Sequence, residues 1–432
     1  TLAALALAAL ACNVPSLRGD ETPTPEPATA TVASSTEAPS PPAATAPLTS
    51  GAAICPPVSG LAFPAERPPF EQIDEAILAF LSGGGTPGDL QAGLVGWGVI
   101  GEIGGGVEGG ADLTGDGAAE VIVIVANPDA PFAYGAPSMA FVYGCAGESY
   151  RMLYDSRTDE GEGFDSSAGR QFETLIDLNG NGLTDLVYST TSCGAHTCFL
   201  GLHAFEYQPA SDRFASLLGQ PISAPYGDLT LTDTDDDGIT EIVVDVGMIG
   251  SVGAGPQRTY RELYDWDGAQ YVLTESVVTT PEEDWWPIHL IQDADAAAEA
   301  GDAATALTLY EQLRARPDWP TWGLGDDEVP ALQVYARYRM MVTYLVAGQR
   351  DDAGAAATIF AEYEGGGEGL GAGFMAIGQQ FWRAYLETGS VEQACAAVIA
   401  YATTNPQSYD LLNQFGYANP TYEPADLCPF TE

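Results

Sequence analysis

The stretch Asp233-Thr-Asp-Asp-Asp-Gly-Ile-Thr-Glu241 carries acids at loop positions 1, 3, 5 and 9 and a glycine at position 6, and it runs into Ile242-Val243-Val244. In a tight loop, alternate side chains converge on one point. The glycine permits the sharp turn, and position 7 offers a backbone carbonyl. The β-branched run that follows commits the chain to a strand. The pattern stands twice more upstream. Asp112-Leu-Thr-Gly-Asp-Gly-Ala-Ala-Glu120 precedes Val121-Ile-Val-Ile-Val125, and Asp177-Leu-Asn-Gly-Asn-Gly-Leu-Thr-Asp185 precedes Leu186-Val187-Tyr188. Three such units read as an internal repeat. Oxygen donors converging in this way suit a hard cation, calcium above all. The expected ligands are Asp112, Asp116 and Glu120; Asp177, Asn179, Asn181 and Asp185; and Asp233, Asp235, Asp237 and Glu241. Ligand charge ranks the third loop tightest and the second weakest. The alternative is ordinary acidic turns, since Asp and Gly are common turn formers. An EF-hand is not implied, because a strand begins at position 9 where that motif continues to a Glu at position 12 and a helix.

The chain has 432 residues, enough for two or three domains with real cores. Its formal charge is -46, from 60 acids against 14 bases, all of them Arg. Such a surface repels nucleic acid and anionic lipid, so neither is expected as a direct partner. Acidity also suits a chain that neutralises part of its charge with divalent cations; general solvation of an acidic surface is the plainer account.

Residues 1–11 are an apolar Ala/Leu run, too short for a bilayer but right for the core of a signal peptide. No Met or basic segment precedes the run, which reads as the inside of a signal. Ala9-Leu10-Ala11-Cys12 resembles a bacterial lipobox, with Ala9 where Leu is usual. The resemblance implies that Cys12 is lipidated and becomes the mature N-terminus; an ordinary secretory signal is the alternative. Residues 22–47 are rich in Pro, Thr, Ala and Ser and carry almost no large apolar side chain, which implies an extended tether. Arg18-Gly19-Asp20 matches an integrin-binding tripeptide, but three residues in an acidic leader match easily by chance.

Residues 69–82 have helical periodicity, with Phe70, Ile73, Ile77, Leu78 and Leu81 on one side. Thr86-Pro87 supplies an N-cap and a first-turn proline for a second helix to about Val95. From there to residue 280 the period is 2. Each unit places a strand before its acidic loop and one after it. A hairpin follows: residues 139–143 with 150–154, 199–207 with 214–218, and 260–266 with 271–274. Asp267-Gly268 marks the clearest hairpin tip. Four antiparallel strands in about 60 residues is the content of one propeller blade.

This region resembles the FG-GAP and VCBS-type repeats of integrin α-chains and many bacterial surface proteins. The resemblance rests on the acidic loops and covers roughly residues 95–280. It implies β-propeller blades with calcium in the loop between two strands. Thr114 stands where that family has Asp or Asn, and three units are fewer than a closed propeller holds. An open array of three blades is therefore expected, its edges covered by the flanking helices; a ring completed by the N-terminal segment is the other arrangement.

Without Cys12, six cysteines remain, at 55, 145, 193, 198, 395 and 428. An even number beside a signal points to disulfides. Cys193 pairs with Cys198 on this view; Cys193, His196 and Cys198 as zinc ligands is the alternative, with no fourth ligand nearby. For the other four, proximity suggests Cys55–Cys145 and Cys395–Cys428, and the connectivity stays open. His203 and His289 sit in apolar patterns typical of packing residues.

From residue 281 the period changes to 3.6, with Ala-rich helices at 288–300, 302–316, 328–347, 351–363, 374–386 and 391–403. Residues 298–313 resemble the helix-turn-helix of a tetratricopeptide repeat, although the turns at Gly301, Gly348 and Gly389 are spaced more widely than in that family. Such pairs form either a concave binding surface or a plain cap on the β region.

The expected fold is thus multidomain β + α: three antiparallel β-propeller-like blades followed by an α-helical hairpin-repeat domain. The divisions are a signal and lipobox at 1–12, a Pro/Thr-rich linker at 13–52, a short helical lead-in at 53–97, the β-repeat domain at 98–280 and the tetratricopeptide-like domain at 281–432. The sequence has no nucleophile elbow, HExxH, Walker loop or Lys for Schiff-base chemistry, so it gives no specific catalytic signature. The expected function is a membrane-tethered, extracytoplasmic, calcium-binding interaction or scaffold protein. It would be lipid-anchored to a bacterial cell membrane or cell surface, with a protein or glycan partner there. Carbohydrate binding through Trp285, Trp286, Trp319 and Trp322, or polysaccharide hydrolysis by paired carboxylates, is the alternative. Those tryptophans equally suit the junction between the β and helical parts.

Overall fold

The β-branched runs that follow the acidic loops become second strands, each flanked on both sides by a strand of its own sheet. A computed structural model describes residues 55–101, 104–130, 137–158, 169–361 and 369–430. The lipobox with Cys12, the Arg18-Gly19-Asp20 tripeptide and the Pro/Thr-rich segment lie outside the described residues. The first sheet has the order β1 (Gly106–Gly109), β2 (Val121–Ala126), β3 (Ser138–Cys145) and β4 (Tyr150–Asp155). The second runs β5 (Gly169–Ile176), β6 (Asp185–Cys193), β7 (Cys198–Gln208) and β8 (Arg213–Ser216), with β9 (Ile222–Pro225) also on β7. The third is β10 (Asp228–Thr232), β11 (Glu241–Val246), β12 (Tyr260–Trp266) and β13 (Tyr271–Val278). Among the described residues, all the strand pairings are antiparallel and no sheet closes into a barrel.

The hairpins read from the sequence are β3–β4, β7–β8 and β12–β13. Strand β9 was not foreseen. It exists because β7 is long: β8 pairs only with residues 205–208, leaving 199–202 free to take Ile222–Pro225.

Side chains alternate across a strand, and here both faces are used. Val121, Val123 and Val125 of β2 pack against helices α1 (Ile73–Ser82) and α2 (Pro87–Gly96), together with Ile73, Ile77, Leu90 and Leu94. Ile122 and Ile124 of the same strand pack with Leu186 and Tyr188 of β6. Val187, between those two, turns the other way and joins Leu202 and Ala204 against Ile242 and Val244 of β11. Double burial is the reason these runs are continuously apolar where a half-exposed strand would alternate. Helix α2 starts as its sequence indicates, with Thr86 Oγ1 accepting the Asp89 N–H at 3.1 Å.

The remaining helices are α3 (Pro287–Glu299), α4 (Ala303–Ala315), α5 (Glu328–Val346), α6 (Arg350–Ala361), α7 (Ala372–Thr388) and α8 (Val391–Thr404). Helix α5 is the centre of this part, with Leu332, Tyr335, Tyr338, Arg339 and Val342 all fully buried. The chain after α8 forms only short 3-10 turns, yet it seals the helical core with Leu411, Leu412, Phe415 and Leu427. It also reaches the β part. Asn419 Nδ2 donates to the carbonyls of Ala254 at 3.2 Å and Pro256 at 3.0 Å. Arg258 forms a bidentate pair with Asp293 of α3 at 2.5 and 2.6 Å. Among the described residues, no helix is long and apolar enough to cross a membrane.

Three disulfides join Cys55 to Cys145, Cys193 to Cys198 and Cys395 to Cys428. The first ties the start of the described chain to the end of β3, and the last ties the C-terminal segment to α8. Such bonds fit a non-reducing, extracytoplasmic environment.

A buried ionic knot sits under the C-terminal segment. Asp295 lies 3.1 Å from Arg339 and accepts hydroxyls from Tyr310, from Tyr335 at 2.9 Å and from Tyr422 at 3.1 Å. Arg339 Nη1 donates to the Asp426 carbonyl at 2.8 Å. Removing one partner strands the other's charge in the core. Arg339→Met should therefore cost about 3–5 kcal/mol in urea unfolding. The double variant Asp295→Leu with Arg339→Met should cost clearly less than the sum of the two single changes; strict additivity would show that the pair does not couple.

Candidate metal centres in the acidic loops

The three acidic loops join the first and second strands of the three sheets, and all three are held by the same internal hydrogen bonds. The acid at position 1 accepts the N–H of position 6. These bonds are Gly117 to Asp112 Oδ2 at 2.8 Å, Gly182 to Asp177 Oδ2 at 2.8 Å and Gly238 to Asp233 Oδ2 at 3.0 Å. Position 5 accepts the N–H of position 7: Ala118 to Asp116 at 2.9 Å, Leu183 to Asn181 at 2.8 Å and Ile239 to Asp237 at 2.8 Å. The position 9 acid accepts the N–H of position 2: Leu113 to Glu120 at 2.6 Å, Leu178 to Asp185 at 2.8 Å and Thr234 to Glu241 at 2.5 Å. The turn needs left-handed backbone at positions 4 and 6. Position 6 is Gly117, Gly182 and Gly238, with φ of 87°, 89° and 91°. Position 4 is Gly115 and Gly180, but Asp236 in the third loop, at φ 63°.

In the third loop, Asp233, Asp235, Asp237 and Glu241 each bring one carboxylate oxygen within 4.8 Å of all the others. In the first, Asp112, Asp116 and Glu120 do the same. These are donor sets that could hold a metal ion, and every donor is a hard oxygen. Thr114 takes no acid's place: its hydroxyl donates to Glu120 Oε1 at 3.4 Å. Burial pushes Glu120 up to about 7; the Leu113 and Thr114 N–H groups oppose that rise, while the charges of Asp116 and Asp112 add to it.

The second loop is built differently. Asp177 and Asp185 are its only acids, and Asn179 and Asn181 stand at positions 3 and 5. Their amide oxygens accept loop N–H groups while their amide nitrogens reach out of the loop: Asn179 Nδ2 donates to Glu206 Oε2 at 3.2 Å, and Asn181 Nδ2 donates to the same oxygen. Glu206 belongs to β7 and was missed by the sequence reading. Its signal is an acid on the strand face that otherwise carries Leu202 and Ala204 into the core. Asp185 is fully buried, and burial pushes it up to about 7, with the Leu178 N–H opposing and the charges of Glu206 and Asp177 reinforcing.

Neighbouring loops touch. Gly180 of the second faces the Gly238 carbonyl of the third, and the Thr240 N–H donates to the Leu178 carbonyl at 2.8 Å. The backbones of the second and third loops are thus in contact.

The other residues singled out serve packing. Cys193 and Cys198 are bonded to each other across the β6–β7 hairpin, so they offer no thiolate beside His196. His203 stacks on Tyr188 with ring centres 4.6 Å apart. Trp285 and Trp319 spend their indole N–H groups on the carbonyls of Thr280 at 2.9 Å and Leu313 at 3.1 Å, and Trp286 packs edge-on against Trp322. Trp285 and Trp319 also line a groove of about 730 Å³ with Glu282, Glu283, Gln312 and Asp318.

No model of a known protein family matches this chain, and a search of curated proteins finds no match.

The loop geometry makes a backbone prediction. A side chain at Gly180 meets both a left-handed φ of 70° and the Gly238 carbonyl, 3.3 Å from its Cβ. Gly180→Ala should cost about 1–2 kcal/mol in thermal or urea unfolding. Asp236→Gly should cost little or nothing, because it relieves a left-handed non-glycine residue. Equal effects of the two substitutions would contradict the shared turn.

Proposed function

We propose that this chain is a calcium-binding, extracytoplasmic interaction or scaffold protein, tethered to a bacterial membrane or cell surface through a lipidated Cys12. The observation that carries the calcium reading is the convergence of carboxylate oxygens within 4.8 Å in loops one and three, on a backbone clamp common to all three. Hard oxygens from carboxylates, with amide oxygens in the second loop, favour calcium over softer metals. The sheets would be propeller-type blades of the FG-GAP or VCBS kind. That reading is supported by the run of four consecutive antiparallel strands in each sheet, to which the second adds β9, and by the loop lying between the first and second strands. The helix pairs would act as a tetratricopeptide-like surface for a protein or glycan partner. Carbohydrate binding is the second reading, favoured by the groove that Trp285 and Trp319 line together with the exposed carboxylates of Glu282, Glu283 and Asp318.

Carboxylates this close repel one another, so a cation bound to the folded state stabilises it by mass action. Chelation should lower the melting temperature, and excess calcium should restore it. Asp233→Ala should remove more of the calcium-dependent part than Asp177→Ala, because the third loop holds the larger carboxylate set. A melting curve that ignores both chelator and calcium would reduce these loops to acidic turns. For the tether, Cys12→Ala should abolish lipid labelling and release the protein from membranes; undiminished labelling would refute it.

A further inference from the structure

The second loop holds the least charge of its own, yet it faces a buried acid on a neighbouring strand, Glu206 of β7. Strands β6 and β7 pair Leu186 with Phe205. One step further along that register, Asp185 stands opposite Glu206. Glu206 is 7% exposed and Asp185 0%. Two buried carboxylates opposite each other on neighbouring strands are unfavourable as a doubly charged pair unless something positive lies between them. Among the described residues, no Arg pairs with either acid. Glu206 is satisfied by three amide groups, from Asn179, Asn181 and Gln208. Asp185 is not: Oδ2 takes the Leu178 N–H, and Oδ1 is buried with no hydrogen-bond partner. An orphaned oxygen on a fully buried carboxylate is a costly feature in a protein interior.

The other two sheets lack this arrangement. The register of the first sheet, in which Val121 pairs with Tyr143, puts Gly144 opposite Glu120. The register of the third, in which Ile242 pairs with Tyr264, puts Asp265 opposite Glu241, but Asp265 Oδ1 accepts the Trp266 N–H at 2.6 Å. Only in the second sheet does the opposing strand direct a long carboxylate onto the loop's own position 3 and 5 side chains.

We propose that Glu206 is a ligand of a divalent cation at the second loop, completing with Asp177 and Asp185 the carboxylate set that the loop alone does not supply. The Asn179 and Asn181 amides now hold Glu206 through hydrogen bonds; a calcium ion that draws the three carboxylates together would replace those bonds and give Asp185 Oδ1 its missing partner. The site would then join loop to strand, where the other two are held within their loops. This inference rests on the calcium reading of the loops.

The test is calcium stoichiometry on the full chain, by equilibrium dialysis with calcium alone and by titration calorimetry. The wild-type chain should bind three ions. Glu206→Gln, nearly isosteric, should bind two, and so should Asp185→Asn; combining them should still leave two. Three ions of unchanged affinity in Glu206→Gln would overturn the proposal. Two ions in the wild-type chain would also overturn it while leaving loops one and three intact; none at all would instead remove the calcium reading itself. Should Glu206→Gln fail to fold by circular dichroism, Glu206→Asp keeps the charge and shortens the arm. It should weaken one of the three sites at least tenfold, and three unchanged sites would overturn the proposal.

Discussion

The β part of this protein depends on one device: a carboxylate at each end of a nine-residue loop, each holding a backbone N–H from inside it. The first acid fixes position 6 and the last fixes position 2, which turns the chain back on itself at the right distance for strand pairing. Charge-assisted bonds of this kind are stronger than neutral ones, and they satisfy amides that a tight turn would otherwise leave to water. The same device concentrates negative charge, because in loops one and three the acids that hold the backbone bring carboxylate oxygens within 4.8 Å of one another. Turn formation and charge repulsion are therefore one problem here. The turn is made by the groups that repel.

Layering gives those turns something to anchor. Strands β2 and β6 are buried on both faces, so a shift of register by one residue exchanges one apolar set for another, and the hydrophobic pattern alone does not fix alignment. The loop does. A nine-residue clamp with glycine at position 6 sets how β1 meets β2, how β5 meets β6 and how β10 meets β11. The cores then follow in series: helices on the first sheet, the first sheet on the second, the second on the third.

Local patterns were readable in the sequence because they are local. Period 2 with Asp267-Gly268 and the acidic loops located the strands; period 3.6 with Gly301, Gly348 and Gly389 located the helix pairs. Two kinds of feature were not readable. Strand β9 depends on β7 outlasting β8, which is a property of a finished sheet and not of residues 222–225. The segment after residue 404 has no period, yet Tyr422, Asp426 and Cys428 pin it to α3, α5 and α8 through side chains far apart in sequence. Glu206 belongs with these. Ligands inside a loop announce themselves by spacing, whereas Glu206, brought to that loop by strand register, shows only as an acid on an otherwise apolar strand face.

The placement of the arginines bears on where the loops find their counter-charge. All 14 bases of the chain are Arg, and those in ion pairs act as joints. Arg157 binds Asp74 of α1 and Asp155 of β4, both at 2.6 Å. Arg151 of β4 reaches Asp212 at the β7–β8 turn at 2.5 Å, and Arg258 links the β part to α3. Among the described residues, none of these pairs includes a loop acid. A chain needing only acidic turns could place Arg beside them, as it does at every joint just named. It leaves its densest carboxylate clusters without a cation of its own, and it orphans an oxygen of Asp185 in the loop with the fewest acids. A small cation that fits among hard oxygens could supply the missing positive charge, and this is the physical ground on which the calcium reading is proposed.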